Sequence, residues 1–169
     1  LFVVSDFKNH TVASLIRAFK YKFLPDLAPP LAQLAAKYLD HLAQRDHFSM
    51  VQGNPLLVPV PLFKTREYSR GFNQAELLAR LIARRYRLDV ATNLVRVANA
   101  TPQVKLKDRP ERLSNVRGLY ACANPEVFKG RNIILIDDVC TTGATLNECA
   151  RVLKSAGATH VAGLAMARG

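Results

Sequence analysis

The stretch IILIDDVCTTGAT, from Ile133 to Thr145, constrains the fold of this chain more than any other feature. Its four leading apolar residues predict a buried strand that ends at Ile136. The polar residues from Asp137 to Gly143 then predict a loop, and a helical pattern begins at Ala144. A strand that leads through a short loop into a helix is the first half of a βαβ unit.

The second half of that unit follows directly. The helix is predicted to end at about Ala156, with Gly157 in the C′ position that favours a left-handed backbone, and an apolar strand is predicted from about Thr159 to Ala167. A βαβ unit implies a parallel sheet with a right-handed crossover, and such sheets bind ligands at the carboxyl ends of their strands. We therefore expect a ligand beside Asp137 and Asp138.

The rest of the chain also mixes helical and strand-like patterns. Apolar residues at helical spacing predict helices around 12–19, 31–42 and 77–82, and short apolar runs predict strands at 1–4, 56–60 and 94–97. The prolines at the end of the strand 56–60 predict that a loop follows over 61–73. The segment 101–118 shows no clean period and is predicted to be a long loop. Because 169 residues that are 49% hydrophobic can bury one substantial core, we expect a single compact α/β domain.

The loop after the predicted strand has the composition of a phosphate site. Residues 141–145, at the start of a helix, offer backbone N–H groups, hydroxyls and the positive end of the helix dipole. Asp137 and Asp138 would repel a bare phosphate, but they accept hydrogen bonds from vicinal hydroxyls, so a ribose 5-phosphate satisfies both halves. The alternatives are weaker, because the chain contains neither G-x-x-x-x-G-K-[ST] nor G-x-G-x-x-G. An ordinary acidic turn would leave two carboxylates unpartnered at the end of a buried strand.

The positive charge of the chain is unevenly distributed. The formal net charge is +11, and residues 64–117 hold thirteen Lys and Arg against five Asp and Glu, a net charge of about +8. This excess indicates an anionic partner, for which nucleic acid and a polyphosphorylated small molecule are both candidates. A basic surface that only keeps the protein soluble is the third interpretation.

The cysteines and the hydropathy pattern favour a cytoplasmic protein. Cys122, Cys140 and Cys149 are odd in number and form no C-x-x-C pair, which argues against a disulfide framework and a zinc knuckle. No segment approaches the roughly 20 apolar residues that span a bilayer, and the first residues do not resemble a signal peptide. The chain begins at Leu1, within a predicted strand, so we expect it to be a fragment.

The thirteen residues IILIDDVCTTGAT resemble the phosphoribosyl pyrophosphate (PRPP) signature of type I phosphoribosyltransferases. The resemblance implies an α/β, Rossmann-like parallel sheet flanked by helices. It also implies that Asp137 and Asp138 bind the ribose 2- and 3-hydroxyls and take part in catalysis. The 5-phosphate then lies on the loop that follows. That loop consists of Thr141, Thr142, Gly143, Ala144 and Thr145.

Further blocks resemble the ComF family (competence protein F, also called the GntX group). The longest is VPVPLFKTREYSRGFNQAELLA, from Val58 to Ala79, and the others are Phe19-Lys20-Tyr21, the segment 101–115 and the closing Ala165-Met166-Ala167-Arg168. The resemblance implies a helical N-terminal or hood segment over 1–50 and a phosphoribosyltransferase core over 51–169. Family members usually begin with a four-cysteine zinc module, which was either trimmed from this chain or lost.

Two basic segments complete the site that the resemblance implies. Lys64, Arg66 and Arg70 are predicted to bind pyrophosphate, which would bring Mg²⁺ with it; no protein metal site is predicted. The segment 101–118 is predicted to close over the site as a lid. Its candidate residues are Gln103, Lys105, Lys107, Arg109 and Arg112, of which Arg109 and Arg112 are assigned a catalytic role. The alternatives are exposed surface charge for the first set, and a solvated or nucleic-acid-binding loop for the second.

Two functions are compatible with this site. The first is a Mg²⁺- and PRPP-dependent transfer of ribose 5-phosphate to an acceptor that the sequence does not identify. The second is a non-catalytic module that senses PRPP or a nucleotide and binds single-stranded DNA or a competence helicase through its basic face. The ComF resemblance links both to DNA uptake and natural transformation. The oligomeric state is not readable from the sequence, although a homodimer is common for this fold.

Overall fold

The computed structural model describes residues 1–6, 8–22, 24–45, 53–98 and 116–169. The strands are β1 (Phe2–Asp6), β2 (Leu56–Pro59), β3 (Leu94–Arg96), β4 (Tyr120–Cys122), β5 (Asn132–Cys140) and β6 (His160–Arg168). The helices are α1 (His10–Tyr21), α2 (Ala28–Arg45), α3 (Lys64–Arg70), α4 (Gln74–Tyr86) and α5 (Ala144–Ser155), with short 3₁₀ turns at Pro25–Leu27 and Pro125–Val127.

The main sheet is parallel, as predicted. Within the described ranges its four strands lie in the order β1-β6-β5-β2, and β5 pairs with both β6 and β2 in parallel register. The predicted β5–α5–β6 unit is confirmed, and α5 ends where expected, because Gly157 has the left-handed φ of 91°. The α/β fold class is therefore confirmed.

Helices pack on both faces of the sheet. Side chains of β5 alternate between two hydrophobic clusters: Ile134 and Ile136 join one with α1, α2 and α4, and Ile133 and Leu135 join the other with α5, β3 and β4. Burial on both faces explains why the strand is apolar without alternation, which is typical of a central parallel strand. The carboxyl end of β5 therefore opens between two packed layers.

The N-terminal segment shares the sheet of the rest of the chain. β1 pairs in parallel with β6, for example Phe2 beside Leu164, and α2 contacts α4 in the first cluster. The division of the chain at residue 50 remains a prediction, and residues 46–52 lie outside the described residues.

Two local predictions are wrong. The segment 61–73 contains a helix, α3, which begins after Phe63 and ends at Gly71, where a φ of 78° and a hydrogen bond to the Glu67 carbonyl terminate it. The acidic pair lies in β5 and not in a loop, since pairing with β6 continues through Asp137 and Cys140. The strand β5 continues beyond its apolar run because β6, with which its backbone pairs, is equally long.

Two further segments are the strand β4 and the predicted lid. β4 was not predicted; it pairs with β3 in an antiparallel two-stranded sheet. Most of the predicted lid, including Arg109 and Arg112, lies outside the described residues. Among the helices of the described part of the chain, none is both long and apolar enough to cross a bilayer.

Candidate functional site

The acidic pair lies near the carboxyl end of β5. Asp137 is partly buried and sits beside Ala165 of β6, and Asp138 is 7% exposed. The Asp138 backbone N–H donates a 2.8 Å hydrogen bond to Asp137 Oδ1, which restrains that side chain. Two neighbouring residues thus place carboxyl groups near the end of a buried strand.

A cation from a distant part of the sequence neutralises one of these carboxylates. Lys20 Nζ lies 2.7 Å from Asp138 Oδ1, and the lysine side chain is 22% exposed. Lys20 belongs to the last turn of α1. Sequence reasoning did not assign Lys20 to the site, although the match of Phe19-Lys20-Tyr21 to the ComF pattern was a signal for it.

The environment of Asp137 disfavours its charged form. Burial, followed by repulsion from Asp138, raises the pKa of the Asp137 carboxyl from 3.8 to about 8, against the opposing effect of the Lys20 ammonium. The folded protein therefore favours the neutral form of the Asp137 carboxyl.

The loop after β5 encloses a small cavity. A volume of about 40 Å³ is lined by Asp137 and by residues 139–146. Gly143 has a left-handed φ of 80° and caps α5, and Thr142 Oγ1 accepts a 3.3 Å hydrogen bond from the Ala144 N–H. The structure thus brings all five predicted phosphate residues together with Asp137, whereas Asp138 is absent from the lining and pairs with Lys20.

Two of the cysteines beside this cavity are packed in the core. Cys140 is 4% exposed and Cys149 is fully buried. Burial raises the pKa of the Cys140 thiol, so proximity to the start of α5 does not activate it. Tyr120 lies near these groups, and burial raises its pKa to about 12. All three side chains belong to the second hydrophobic cluster, with α5, β3 and β4.

The three predicted pyrophosphate residues do not converge. They lie on α3, where Lys64 and Arg66 differ by about 200° around the helix axis. Lys64 helps to line a cavity of about 200 Å³ with Arg96 and Pro59, whereas Arg70 Nη1 donates to Gln74 Oε1 over 3.2 Å. Lys64 and Arg66 are exposed, so their role as a set remains a prediction.

The segment between α3 and α4 adds polar groups that sequence reasoning did not assign. Asn73 Nδ2 donates to the Val60 carbonyl oxygen over 3.1 Å, which ties the end of β2 to the start of α4. The neighbouring Gln74 is 1% exposed, and its Nε2 has no hydrogen-bond partner within the described residues. The R-G-F-N-Q sequence thus places buried amide groups next to the end of β2.

The acidic pair fits a magnesium ion that arrives with a phosphorylated ligand. No group of three or more His, Cys, Asp or Glu side chains converges in the described part of the chain, so a cage made only by protein is not offered there. Mg²⁺ typically uses one or two carboxylates together with substrate phosphates and water. Asp137 and Asp138 would hold it in that way, and the raised pKa of Asp137 indicates a place where a cation would be favoured.

Comparison with protein families gives one match to this region. Residues 64–167 match the model described as "Phosphoribosyl transferase domain". The match covers α3 through β6 and therefore includes the acidic pair and the loop, while Lys20 lies before it.

The chain is also similar to curated proteins. Competence protein F of Haemophilus influenzae is 36% identical over 115 residues, 66% of this chain and 49% of the relative. Competence protein ComFC of Bacillus subtilis is 38% identical over 154 residues, 91% of this chain and 53% of the relative. DNA utilization protein YhgH of Escherichia coli is 27% identical over 89% of this chain and 64% of its own length. The chain thus spans about half the length of the two competence proteins.

A solved structure shares the fold. The glutamine phosphoribosylpyrophosphate amidotransferase of B. subtilis, in complex with ADP and GMP, superposes with a TM-score of 0.55 at 16% identity, over 89% of this chain and 30% of that protein. At this identity the similarity shows the fold alone.

Proposed function

The chain belongs to the phosphoribosyl transferase domain family and to its ComF group, and from this premise we propose that it binds PRPP at the end of β5. The observation that carries the proposal is the shared cavity of Asp137 and the loop 141–145 at the start of α5. A phosphate on the loop N–H groups places a ribose diol within reach of the acidic pair.

Each part of the site has a role in this proposal. Thr141, Thr142, Gly143, Ala144 and Thr145 bind the 5-phosphate. Asp137 and Asp138 accept hydrogen bonds from the ribose hydroxyls and hold Mg²⁺, which when bound offsets the charge of pyrophosphate. Lys64 and Arg70 on α3 bind pyrophosphate in this proposal, which Lys64 supports by lining a cavity with Pro59 at the end of β2. The roles of Arg66, Arg109 and Arg112 are part of the same proposal.

The proposed reaction is transfer of ribose 5-phosphate from PRPP to a nitrogenous acceptor. The C1–oxygen bond to pyrophosphate breaks, a C1–nitrogen bond forms, and the acceptor loses a proton. Cys140 is not placed to act as a covalent nucleophile at the cavity, since it is buried and its pKa is raised. Catalysis then depends on stabilising the leaving group and excluding water.

Calorimetry tests the binding step. Wild-type protein should bind PRPP and ribose 5-phosphate in the presence of Mg²⁺, and Asp137→Asn with Asp138→Asn should weaken both by at least about tenfold. The matched control is Asp89→Asn, because Asp89 is an exposed carboxylate whose backbone bonds Leu57, near the amino end of β2. Absence of wild-type binding, or equal loss in the control, contradicts the proposal.

A non-catalytic binding module is the second candidate function. It is favoured by the relatives named for competence and DNA utilization and by the net charge of +11. In this version the site senses PRPP in the cytoplasm, and the basic face binds single-stranded DNA or a helicase partner. DNA affinity should then be weak, independent of sequence and steeply lowered by salt.

Turnover separates the two functions. Protein, PRPP and Mg²⁺ are incubated with a panel of nitrogenous acceptors, and released pyrophosphate is measured. Release that requires an acceptor and disappears in Asp138→Asn identifies the enzyme. Tight PRPP binding without acceptor-dependent release identifies the sensor.

A further inference from the structure

The N-terminal helix α1 reaches into the acidic site through one side chain. Lys20 Nζ contacts Asp138 Oδ1 at 2.7 Å, and both groups are shielded, with side-chain exposures of 22% and 10%. The family match begins at residue 64, so this cation comes from outside the matched domain. Under the proposed function, it lies beside a carboxylate that the ribose hydroxyls of the ligand contact.

The position of Lys20 is set by the packing of α1 next to it. Phe19 is fully buried, and its ring centre lies 5.6 Å from that of Phe72. Asn9 caps the start of α1 by accepting hydrogen bonds from Thr11 and Val12. Phe72 in turn precedes Asn73, which joins α4 to β2. Lys20 is therefore held by the same elements that shape the carboxyl edge of the sheet.

The electrostatics of the site require such a cation. The ionised Asp138 carboxylate at a buried strand end would repel a ligand that carries a phosphate dianion. In many sites a metal ion alone offsets this repulsion, because the ligand brings it. Here an ammonium already neutralises Asp138 before any ligand arrives. At 22% exposure the lysine side chain is not fully shielded from solvent.

We infer that Lys20 is the built-in counter-ion of this phosphosugar site, a positioning residue that lets the acidic pair accept an anionic sugar phosphate with little help from a metal ion. The inference rests on the proposed function and adds to it a residue outside the matched domain. It predicts that, without Lys20, the charge of Asp138 is neutralised by Mg²⁺, so that ligand binding depends more strongly on the metal ion.

The test compares ribose 5-phosphate affinity with Mg²⁺ and with EDTA. Wild-type protein is expected to lose no more than about tenfold in affinity when Mg²⁺ is removed. In Lys20→Met, removal of Mg²⁺ should reduce the affinity by a factor at least about ten times greater than in wild type. Added Mg²⁺ should restore most of the binding. Lys20→Arg should behave like wild type. The matched control is Lys22→Met, because Lys22 is an exposed lysine at the end of the same helix.

The outcomes separate this inference from the function on which it rests. Equal Mg²⁺ dependence in wild type and folded Lys20→Met overturns the inference and leaves PRPP binding intact. If Lys20→Met does not fold, a wild-type affinity that falls by more than about a hundredfold in EDTA overturns it without any variant. No wild-type binding even with Mg²⁺ overturns the proposed function and the inference together.

Discussion

Asn73 joins two elements of the site, since its Nδ2 donates to the Val60 carbonyl oxygen while its Oδ1 accepts from the Ala75 N–H. The first bond, at 3.1 Å, holds the chain where β2 ends, and the second, at 3.0 Å, caps α4. The side chain is 7% exposed, so neither bond is easily replaced by water. One buried amide therefore sets the spacing between the strand end and the helix.

Replacement of Asn73 by Ala should lower the free energy of unfolding by about 2–3 kcal/mol, because a helix cap and a buried hydrogen bond are lost together. Asn9→Ala is the matched control, since Asn9 is an exposed cap of α1 and should cost only about 1 kcal/mol. Urea denaturation measures both values. Equal losses would show that the bond to Val60 contributes nothing.

Asp137 should make the protein less stable as the pH rises. Its pKa is about 8 in the folded protein, raised by burial and by Asp138, against 3.8 for an ordinary aspartate. Between these values the folded state binds the additional proton, so the free energy of unfolding falls from about pH 4 to about pH 8.

The variant Asp137→Asn should remove this contribution. It should be more stable than wild type at pH 8 by at least about 1 kcal/mol, and the difference should vanish near pH 4. Urea denaturation at a series of pH values measures the effect, with Asp89→Asn as the exposed control. A constant difference across this range would contradict a protonated Asp137.

Gly143→Ala should weaken ribose 5-phosphate binding by about tenfold and lower the free energy of unfolding by about 1 kcal/mol. The cause is the φ of 80°, because an added Cβ would meet only ordinary contacts, the nearest being Asn147 Nδ2 at 3.8 Å. Calorimetry and urea denaturation measure the two effects. Gly130→Ala, at a φ of 68° before β5, should lose similar stability without losing affinity. If Gly130→Ala lowered the affinity for ribose 5-phosphate as much as Gly143→Ala, Gly143 would have no specific role in phosphate binding.

Glu148 holds the chain where the described structure resumes after residue 115. Its Oε1 accepts a 2.8 Å hydrogen bond from the Gly118 N–H, and Arg151 donates to both carboxylate oxygens. Hydrogen bonds from Arg151 and from the Gly118 N–H hold the pKa of Glu148 below its usual value, although burial acts in the opposite direction.

Glu148→Gln should lower the free energy of unfolding by about 1–3 kcal/mol at pH 7. Because a lowered carboxyl pKa contributes stability that is lost in acid, the difference from wild type should shrink as the pH falls below about 4.5. Urea denaturation at both pH values tests this, with the exposed Glu126→Gln as control. If the difference in the free energy of unfolding persisted in acid, it would arise from packing and not from the charge of Glu148.

Local spacing was enough to predict the elements around the site. The run of apolar residues before Asp137 and the residues from Ala144 to Gly157 predict a strand and a helix that the structure confirms, because both patterns reflect neighbours in sequence. The same reasoning missed α3, a helix of seven residues that depends on the ends provided by Phe63 and Gly71. It also missed β4, whose three residues are a strand only beside β3.

The sequence by itself determined that two carboxylates stand next to each other before a loop suited to phosphate, since covalent order places Asp137, Asp138 and Gly143 together. Only the tertiary structure decided that Asp137 faces the loop cavity while Asp138 meets Lys20. The physical reason is that a charge pair between residues far apart in the chain depends on how α1 packs against the sheet. No local pattern encodes that distance.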